Sequence, residues 1–269
     1  MIKKIGVIGV GHLAEYLVKG LRRASPDIEM VLSPRNIVRS AQLATRTGAS
    51  VASDNQAVVD AVELVLLTTR PGDAVSVCDE LAFLPENTVV STAAGLPLAT
   101  LQPVVEPATL VRAMPISCAA LNQSPTLLYP DNPMASALFG MLGHVHSLPD
   151  EARFAPASVT SAFYGWVYAL LGETIAWTVR SGVPAPTARS LVLETVGGAV
   201  SMAQSQPDED LFAILDTLAT PGGITEHGLD ILRQDHGFSA WMAALDAVLS
   251  RVKGNEPHPL TLPVDLDKG

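Results

Sequence analysis

Between residues 4 and about 148, short runs of β-branched and other apolar residues alternate with stretches in which apolar positions recur every three or four residues. A period of two giving way repeatedly to a period of 3.6 is the rhythm of βαβ units, which assemble into a parallel sheet with helices on both faces. The pattern predicts strands at 4–9, 28–33, 63–69, 88–92, 109–114 and 126–129, with a short one at 144–148. In the third of these, Leu64, Val65, Leu66 and Leu67 form an unbroken apolar run, as expected of a strand covered on both sides. Between the first two strands, Leu13, Leu17, Val18 and Leu21 share one helical face, which should pack on the sheet. After Pro149 the pattern changes to helical segments at 151–182, 185–205, 208–219 and 224–252, the last opening after Pro221, Gly222 and Gly223.

Composition narrows this picture. The 269 residues suffice for about two domains of roughly 150 residues each, and 48% apolar residues can fill two cores, which excludes disorder as the main theme. A formal charge of −10 repels polyanions, so nucleic acid is not an expected partner. Two cysteines, Cys78 and Cys118, cannot build a disulfide framework; both lie in apolar contexts that suit buried thiols of a reducing compartment, and the chain reads as cytoplasmic. The stretch 154–172 lacks charge, but Pro156, Ser158, Thr160, Ser161 and Gly165 dilute it and Glu173 closes it. It is too polar for a membrane span and suits a helix buried in protein, against a second subunit. Lys3 and Lys4 precede apolar residues as in a signal peptide, but His12 and Glu15 interrupt the run, so no export signal is expected.

The strongest local signal is Gly9-Val10-Gly11-His12-Leu13-Ala14, placed after a predicted strand and opening a predicted helix. Gly9 would allow a tight turn, Gly11 would let a pyrophosphate approach the backbone, and Ala14 would let helix and strand pack closely while the helix N-terminus faces the phosphates. An NAD site would place a carboxylate at the tip of the second strand, which here reads Ser33-Pro34-Arg35-Asn36. Ser33 as a hydrogen-bond donor and Arg35 as a planar guanidinium suit the 2′-phosphate of NADP(H) better; Glu29 falls before the end of that strand and is set aside. The chain is thus expected to be α/β: a Rossmann-like doubly wound parallel sheet over 1–150, an all-helical domain over 151–254, and an extended Pro-rich tail over 255–269. His144 and His146 share a strand face, but no third ligand lies near in sequence, and no metal site is expected.

From about Ile5 to Lys253 the chain resembles the pyrroline-5-carboxylate reductases. The likeness rests on the ordered appearance of the glycine motif from Ile8 to Glu15, Thr69-Arg70-Pro71, Ala93-Ala94-Gly95, Arg112-Ala113-Met114-Pro115 and Thr220-Pro221-Gly222-Gly223-Ile224-Thr225. The resemblance implies an NADPH-dependent imine reductase that acts on a small carboxylated substrate, with intertwined helical domains forming a homodimer or higher homo-oligomer. It implies that Thr69, Arg70 and Pro71 line the coenzyme cleft, that Ala93, Ala94 and Gly95 let the backbone run close to the nicotinamide, and that Met114 and Pro115 form part of its wall. It further implies that Gly222, Gly223, Ile224 and Thr225 hold the substrate carboxylate, with the Thr225 hydroxyl orienting the imine; an N-cap role is the plainer reading of that threonine.

Three places depart from the family pattern: His12 stands where Asn is usual, Ile116-Ser117-Cys118 replaces Asn-Thr-Pro, and Ser161-Ala162-Phe163-Tyr164-Gly165-Trp166 replaces Gly-Ser-Gly-Pro-Ala-Tyr. Phe163 and Tyr164 are far larger than the residues they replace, so a pocket shaped for pyrroline carboxylate would be filled or rebuilt unless the backbone shifts. Tyr164 or His227 then becomes a candidate acid toward a different imine or carbonyl. The β-hydroxyacid dehydrogenases share the two-domain plan but need a lysine in the helical domain, and no lysine occurs between Lys19 and Lys253. A dinucleotide-binding protein without catalysis is the remaining alternative.

Overall fold

The computed structural model describes residues 2–254, and the expected tail at 255–269 lies outside the described residues. The described residues divide into two compact units, one of residues 2–158 with 251–254, the other of residues 159–250.

The first unit is an eight-stranded sheet whose spatial order is β3-β2-β1-β4-β5-β6-β7-β8. Its strands are β1 (Lys4–Ile8), β2 (Glu29–Leu32), β3 (Ser50–Val51), β4 (Leu64–Leu67), β5 (Thr88–Ser91), β6 (Thr109–Met114), β7 (Thr126–Tyr129) and β8 (Val145–Ser147). The six strands β1 to β6 are parallel, joined by helices α1 (His12–Ala24), α2 (Ile37–Thr47), α3 (Asn55–Asp60), α4 (Pro71–Asp79) and α5 (Leu98–Val105). The alternation of the pleat sends Leu64 and Leu66 into a core under α1 and α6 (Pro133–Gly140), while Val65 and Leu67 join a second core under α3, α4 and α5. Leu17, Val18 and Leu21 of α1 are fully buried in the first of these, as their spacing requires.

The sheet is parallel, as expected, except at one edge. β7 runs antiparallel to β6, and β8 is parallel to β7. The segment 115–125 between β6 and β7 holds only the 3-10 turn Ser117–Leu121, too little for the helical crossover that a parallel return needs, whereas α6 provides one between β7 and β8.

The second unit is helical. The long helix α7 (Phe154–Arg180) enters it, followed by α8 (Ala185–Ser205), α9 (Leu211–Leu218), α10 (Ile224–Gln234) and α11 (Gly237–Val252). The expected single helix over 224–252 is broken in two at His236, whose φ of 59° is left-handed, and at Gly237. Val159 and Ala188 are buried here, but Trp177, Phe212, Leu218 and Ile224 are all more than 60% exposed. No helix among the described residues is long and apolar enough to cross a membrane.

Candidate active site

The order of the sheet reverses between β1 and β4, and in open α/β sheets ligands settle at the carboxyl ends of such strands. A cavity of about 460 Å³ opens there, lined by Gly9 and Gly11 after β1, Arg35 and Asn36 after β2, and Thr69, Arg70 and Asp73 after β4. Gly9 has a φ of +95°, and a Cβ on it would lie 2.8 Å from the Thr69 nitrogen, so no other residue fits that turn. Gly11 caps α1 without a side-chain hydrogen bond, and a Cβ there would meet nothing closer than the Gly9 oxygen at 4.0 Å. The first-turn N–H groups of His12, Leu13 and Ala14 therefore face an open, roomy approach suited to an anion. His12 is exposed, Leu13 is half-buried and Ala14 is fully buried where α1 meets the sheet.

Two hydroxyls pin this loop from below. Thr68 Oγ1 lies 2.8 Å from the Gly9 carbonyl oxygen, to which it donates, and the Gly9 N–H donates to Ser33 Oγ at 3.0 Å. Ser33 is 1% exposed and is absent from the cavity lining, so it shapes the phosphate loop where the sequence suggested a direct phosphate contact. Its polarity at a strand tip was legible; its partner, a backbone N–H 24 residues away, was not. Arg35 does reach the cavity, with its side chain 62% exposed and Nη1 3.6 Å from Asp73 Oδ2. Arg70 is exposed at the N-cap of α4, and Pro71 takes the first helical position. Thr69 Oγ1 is buried in the wall with no hydrogen-bond partner among the described residues. An orphaned hydroxyl, an uncapped helix start, two guanidiniums and a turn that only glycine can make together fit the phosphates of a dinucleotide.

Sequence reasoning passed over Thr68, Asn36 and Asp73. Asn36 looks like an ordinary N-cap and is one, accepting from the Arg39 N–H at 3.2 Å; Asp73 looks like a first-turn acid of α4. A larger cavity of about 540 Å³ sits at the amino ends of β1 and β4 beside Pro133 and Met134. The helix start beside it is already capped, since Asn132 accepts from the Ala135 N–H at 2.9 Å, and no glycine loop faces it.

Further along the carboxyl edge, Ala93 is buried while Ala94 and Gly95 are exposed, with Gly95 at a φ of +73°. Pro115 is buried and Met114 half-buried after β6. Beneath them Arg112 is 6% exposed; its Nη1 lies 3.1 Å from Glu151 Oε1, and its guanidinium carbon stands 4.1 Å from the centre of the Phe154 ring. Burial lowers the pKa of Arg112, and the hydrogen bond and charge of Glu151 partly restore it. Cys78 is fully buried, and desolvation pushes its thiol up to about 11, so it is an inert core residue. Cys118, expected to be buried too, is only partly so, with its pKa raised chiefly by burial; its Sγ lies 3.2 Å from the Gln123 oxygen.

In the helical unit, Gly222 has a φ of +76° and its N–H donates to Glu226 Oε2 at 2.7 Å. Gly223, not Thr225, is the N-cap of α10; it has no side-chain cap, and a Cβ on it would fall 2.8 Å from the Thr220 oxygen. Ile224 and Thr225 follow as the first two residues of the helix, both exposed. The plainer capping role for Thr225 is thereby removed, and its hydroxyl is available for a ligand. His227 is exposed one turn on. In the altered segment of α7, the Tyr164 and Tyr168 hydroxyls are 3.0 Å apart, while Phe163 and Trp166 stand edge-on to Trp241 of α11 at 5.7 and 5.6 Å. Phe163 and Trp166 are therefore packed against α11.

The sheet order, the glycine turn and the open helix start define a Rossmann-like oxidoreductase of the nicotinamide-dinucleotide class, followed by a helical domain. Residues 4–95 match the family model for NADP oxidoreductase, coenzyme F420-dependent, and residues 154–254 match that for pyrroline-5-carboxylate reductase dimerisation. The chain is 30% identical over 261 residues to the pyrroline-5-carboxylate reductase of Pseudomonas aeruginosa, covering 92% of this chain and 95% of that one. The chain belongs to the pyrroline-5-carboxylate reductase family. Among solved structures, that of the 1-pyrroline-5-carboxylate reductase from Streptococcus pyogenes superposes with a TM-score of 0.84 at 26% identity, over 93% of this chain and 98% of that one. The Plasmodium falciparum pyrroline carboxylate reductase, solved with NADP bound, shares the fold with a TM-score of 0.82 at 22% identity, over 93% and 97% of the two chains.

Proposed function

We propose that the protein uses NADPH to reduce the C=N bond of pyrroline-5-carboxylate or a related cyclic imine carboxylate to the amine. The observation that carries this reading is the cavity at the carboxyl ends of β1, β2 and β4, with its uncapped helix start and paired arginines, in a chain of this family. Reduced nicotinamide, when bound, supplies the electron pair and hydrogen that saturate the C=N bond.

The chain's own residues bind and orient. The N–H groups of His12, Leu13 and Ala14 and the α1 dipole neutralise the pyrophosphate, and Arg35 with Arg70 takes the 2′-phosphate. Ala93, Ala94 and Gly95 lack bulk and admit the nicotinamide ring, with Met114 and Pro115 as its wall. The turn at Gly222 and Gly223 leads into a helix without a side-chain cap; the N–H groups of Gly222 and Gly223 already donate to Glu226 Oε2 and the Thr220 oxygen, so the first-turn N–H groups of Ile224 and Thr225 are the donors for a substrate carboxylate, and the Thr225 hydroxyl holds the imine nitrogen. A cyclic imine can arrive protonated on nitrogen, so a dedicated acid is optional; for an unprotonated substrate the Tyr164 hydroxyl or the His227 imidazole is the donor. The matched dimerisation model and the apolar side chains left exposed in the helical unit support a homodimer or higher homo-oligomer, and two free cysteines support a reducing compartment such as the cytoplasm.

NADPH consumption with a panel of cyclic imine carboxylates tests the reading. Turnover of at least one is expected, and Thr225→Ala should depress kcat about tenfold or more without weakening NADPH binding. Binding of NADPH with turnover of none would establish a dinucleotide-binding protein without catalysis. Arg35→Ala should raise KM for NADPH about tenfold to a hundredfold, because a charge-assisted contact is lost, while leaving KM for NADH nearly unchanged. An equal rise for both coenzymes would show that Arg35 does not meet the 2′-phosphate.

A further inference from the structure

The side chains after β2 and β4 share the cavity, but they do not carry the same charge. Arg35 and Arg70 are cationic, and Asp73 is the only acidic side chain among the described residues lining it. Asp73 sits in the first turn of α4, its N–H donating to the Arg70 oxygen at 3.0 Å, and its carboxylate lies 3.6 Å from Arg35 Nη1. The pair is open to solvent, with side chains 62% and 45% exposed, so little holds it shut.

A 2′-phosphate that engages Arg35 must displace this carboxylate or lie beside it, and two like charges sharing one guanidinium repel. A coenzyme with a free 2′-hydroxyl meets the opposite situation. The 2′-hydroxyl brings no charge of its own, and it needs an acceptor that the segment Ser33-Pro34-Arg35-Asn36 does not supply as a carboxylate. Asp73 is positioned to be that acceptor from the neighbouring strand's helix. We propose that Asp73 sets the balance between the two pyridine dinucleotides, holding Arg35 and accepting a 2′-hydroxyl in one case and opposing a 2′-phosphate in the other. This rests on the coenzyme assignment above. On this basis Arg35 and Asp73 act as opposed selectors, and removing the acid alone sharpens the preference for NADPH.

Fluorescence titrations of NADPH and NADH into the full-length protein and its Asp73→Asn and Asp73→Ser variants provide the test, with a thermal melt of each. Kd for NADPH should fall about two- to fivefold and Kd for NADH should rise by a similar factor, the scale of an exposed ion pair. Their ratio should therefore shift roughly tenfold, and the two variants should agree because both lose the charge. A lower melting temperature with an unmoved ratio would show that Asp73 serves only the α4 helix start, and weaker NADPH binding in both variants would equally overturn the proposal. If the unaltered protein binds neither coenzyme, the functional reading fails and takes this one with it; if it binds NADPH and the ratio does not move, only the role of Asp73 fails.

Discussion

Replacing Gly20 by alanine should destabilise the protein by about 3–5 kcal/mol, among the largest effects of any single methyl group in this chain. A Cβ at this position would overlap the Ala119 carbonyl oxygen outright, come within 2.9 Å of the carbonyl carbon, and press on Leu142 Cδ2 at 2.7 Å. The obstacle is backbone, and it is held: the Asn122 amide donates to the Gly20 oxygen at 2.9 Å and to the Met141 oxygen at 2.7 Å, which locks α1 against the turn Ser117–Leu121. A side-chain clash could relax by a rotamer change, but here a helix must move. That helix begins at the phosphate loop, and the turn follows Met114 and Pro115, so a shift between them separates two parts of the proposed coenzyme site. Thermal melting should show a fall of about 8–15 °C, at roughly 2–4 °C per kcal/mol for a chain of this size, together with weakened NADPH binding in the surviving folded fraction. Gly140→Ala is the control. Nothing lies within 4 Å of a Cβ built there at the end of α6, so its melting temperature should stay level or rise slightly. A Gly20→Ala melt within 2 °C of the parent, about the effect of 1 kcal/mol or less, would show that the contact yields easily.

The strands were legible because burial on two faces imposes an unbroken apolar run, as at Leu64 to Leu67, and all four residues are buried. β3 was not, because its two residues, Ser50 and Val51, are both exposed and carry no period. Strand direction is not written in hydropathy at all; the reversal at β7 follows from the short connection after Met114, a length argument that the alternating pattern concealed. The break between α10 and α11 has a local signature in Asp235-His236-Gly237, but the apolar positions continue across it and masked the stop. Within the site, Gly9 was legible because a turn that demands glycine restricts sequence. Ser33 shows the limit of such reading. A serine at a strand tip meets a ligand or a backbone N–H with the same hydroxyl, and only the packing of β2 beside β1 decides for the N–H of Gly9.

Charges inside the sheet were the least legible feature, and they carry the other large effect. Glu151→Ala should destabilise the protein by about 3–5 kcal/mol, far more than the 0–1 kcal/mol of a surface ion pair. The Glu151 side chain is 28% exposed, but that of its partner Arg112 is only 7% exposed, and the carboxylate serves two donors: Arg112 Nη1 at 3.1 Å and the Leu98 N–H at 2.8 Å, both through Oε1. Without it Arg112, whose Nε already lacks a partner among the described residues, becomes an uncompensated cation in the sheet interior, and α5 loses the tie at its first residue. Its pKa, already lowered by burial, stays far too high for the guanidinium to shed the charge. The damage therefore comes from stranding a charge rather than from losing an attraction, and this has a signature. Arg112→Met alone should also be costly, because the Glu151 carboxylate is then unpaired, but Arg112→Met combined with Glu151→Leu should recover most of the loss, since apolar groups of similar volume can pack beside Phe154. Chemical denaturation of the parent, Arg112→Met, Glu151→Leu and the double variant reads this as a coupling energy of at least about 3 kcal/mol. If the double variant is instead as unstable as the sum of the singles, the two residues are not coupled, and Arg112 is held in the sheet by the Phe154 ring 4.1 Å away rather than by Glu151.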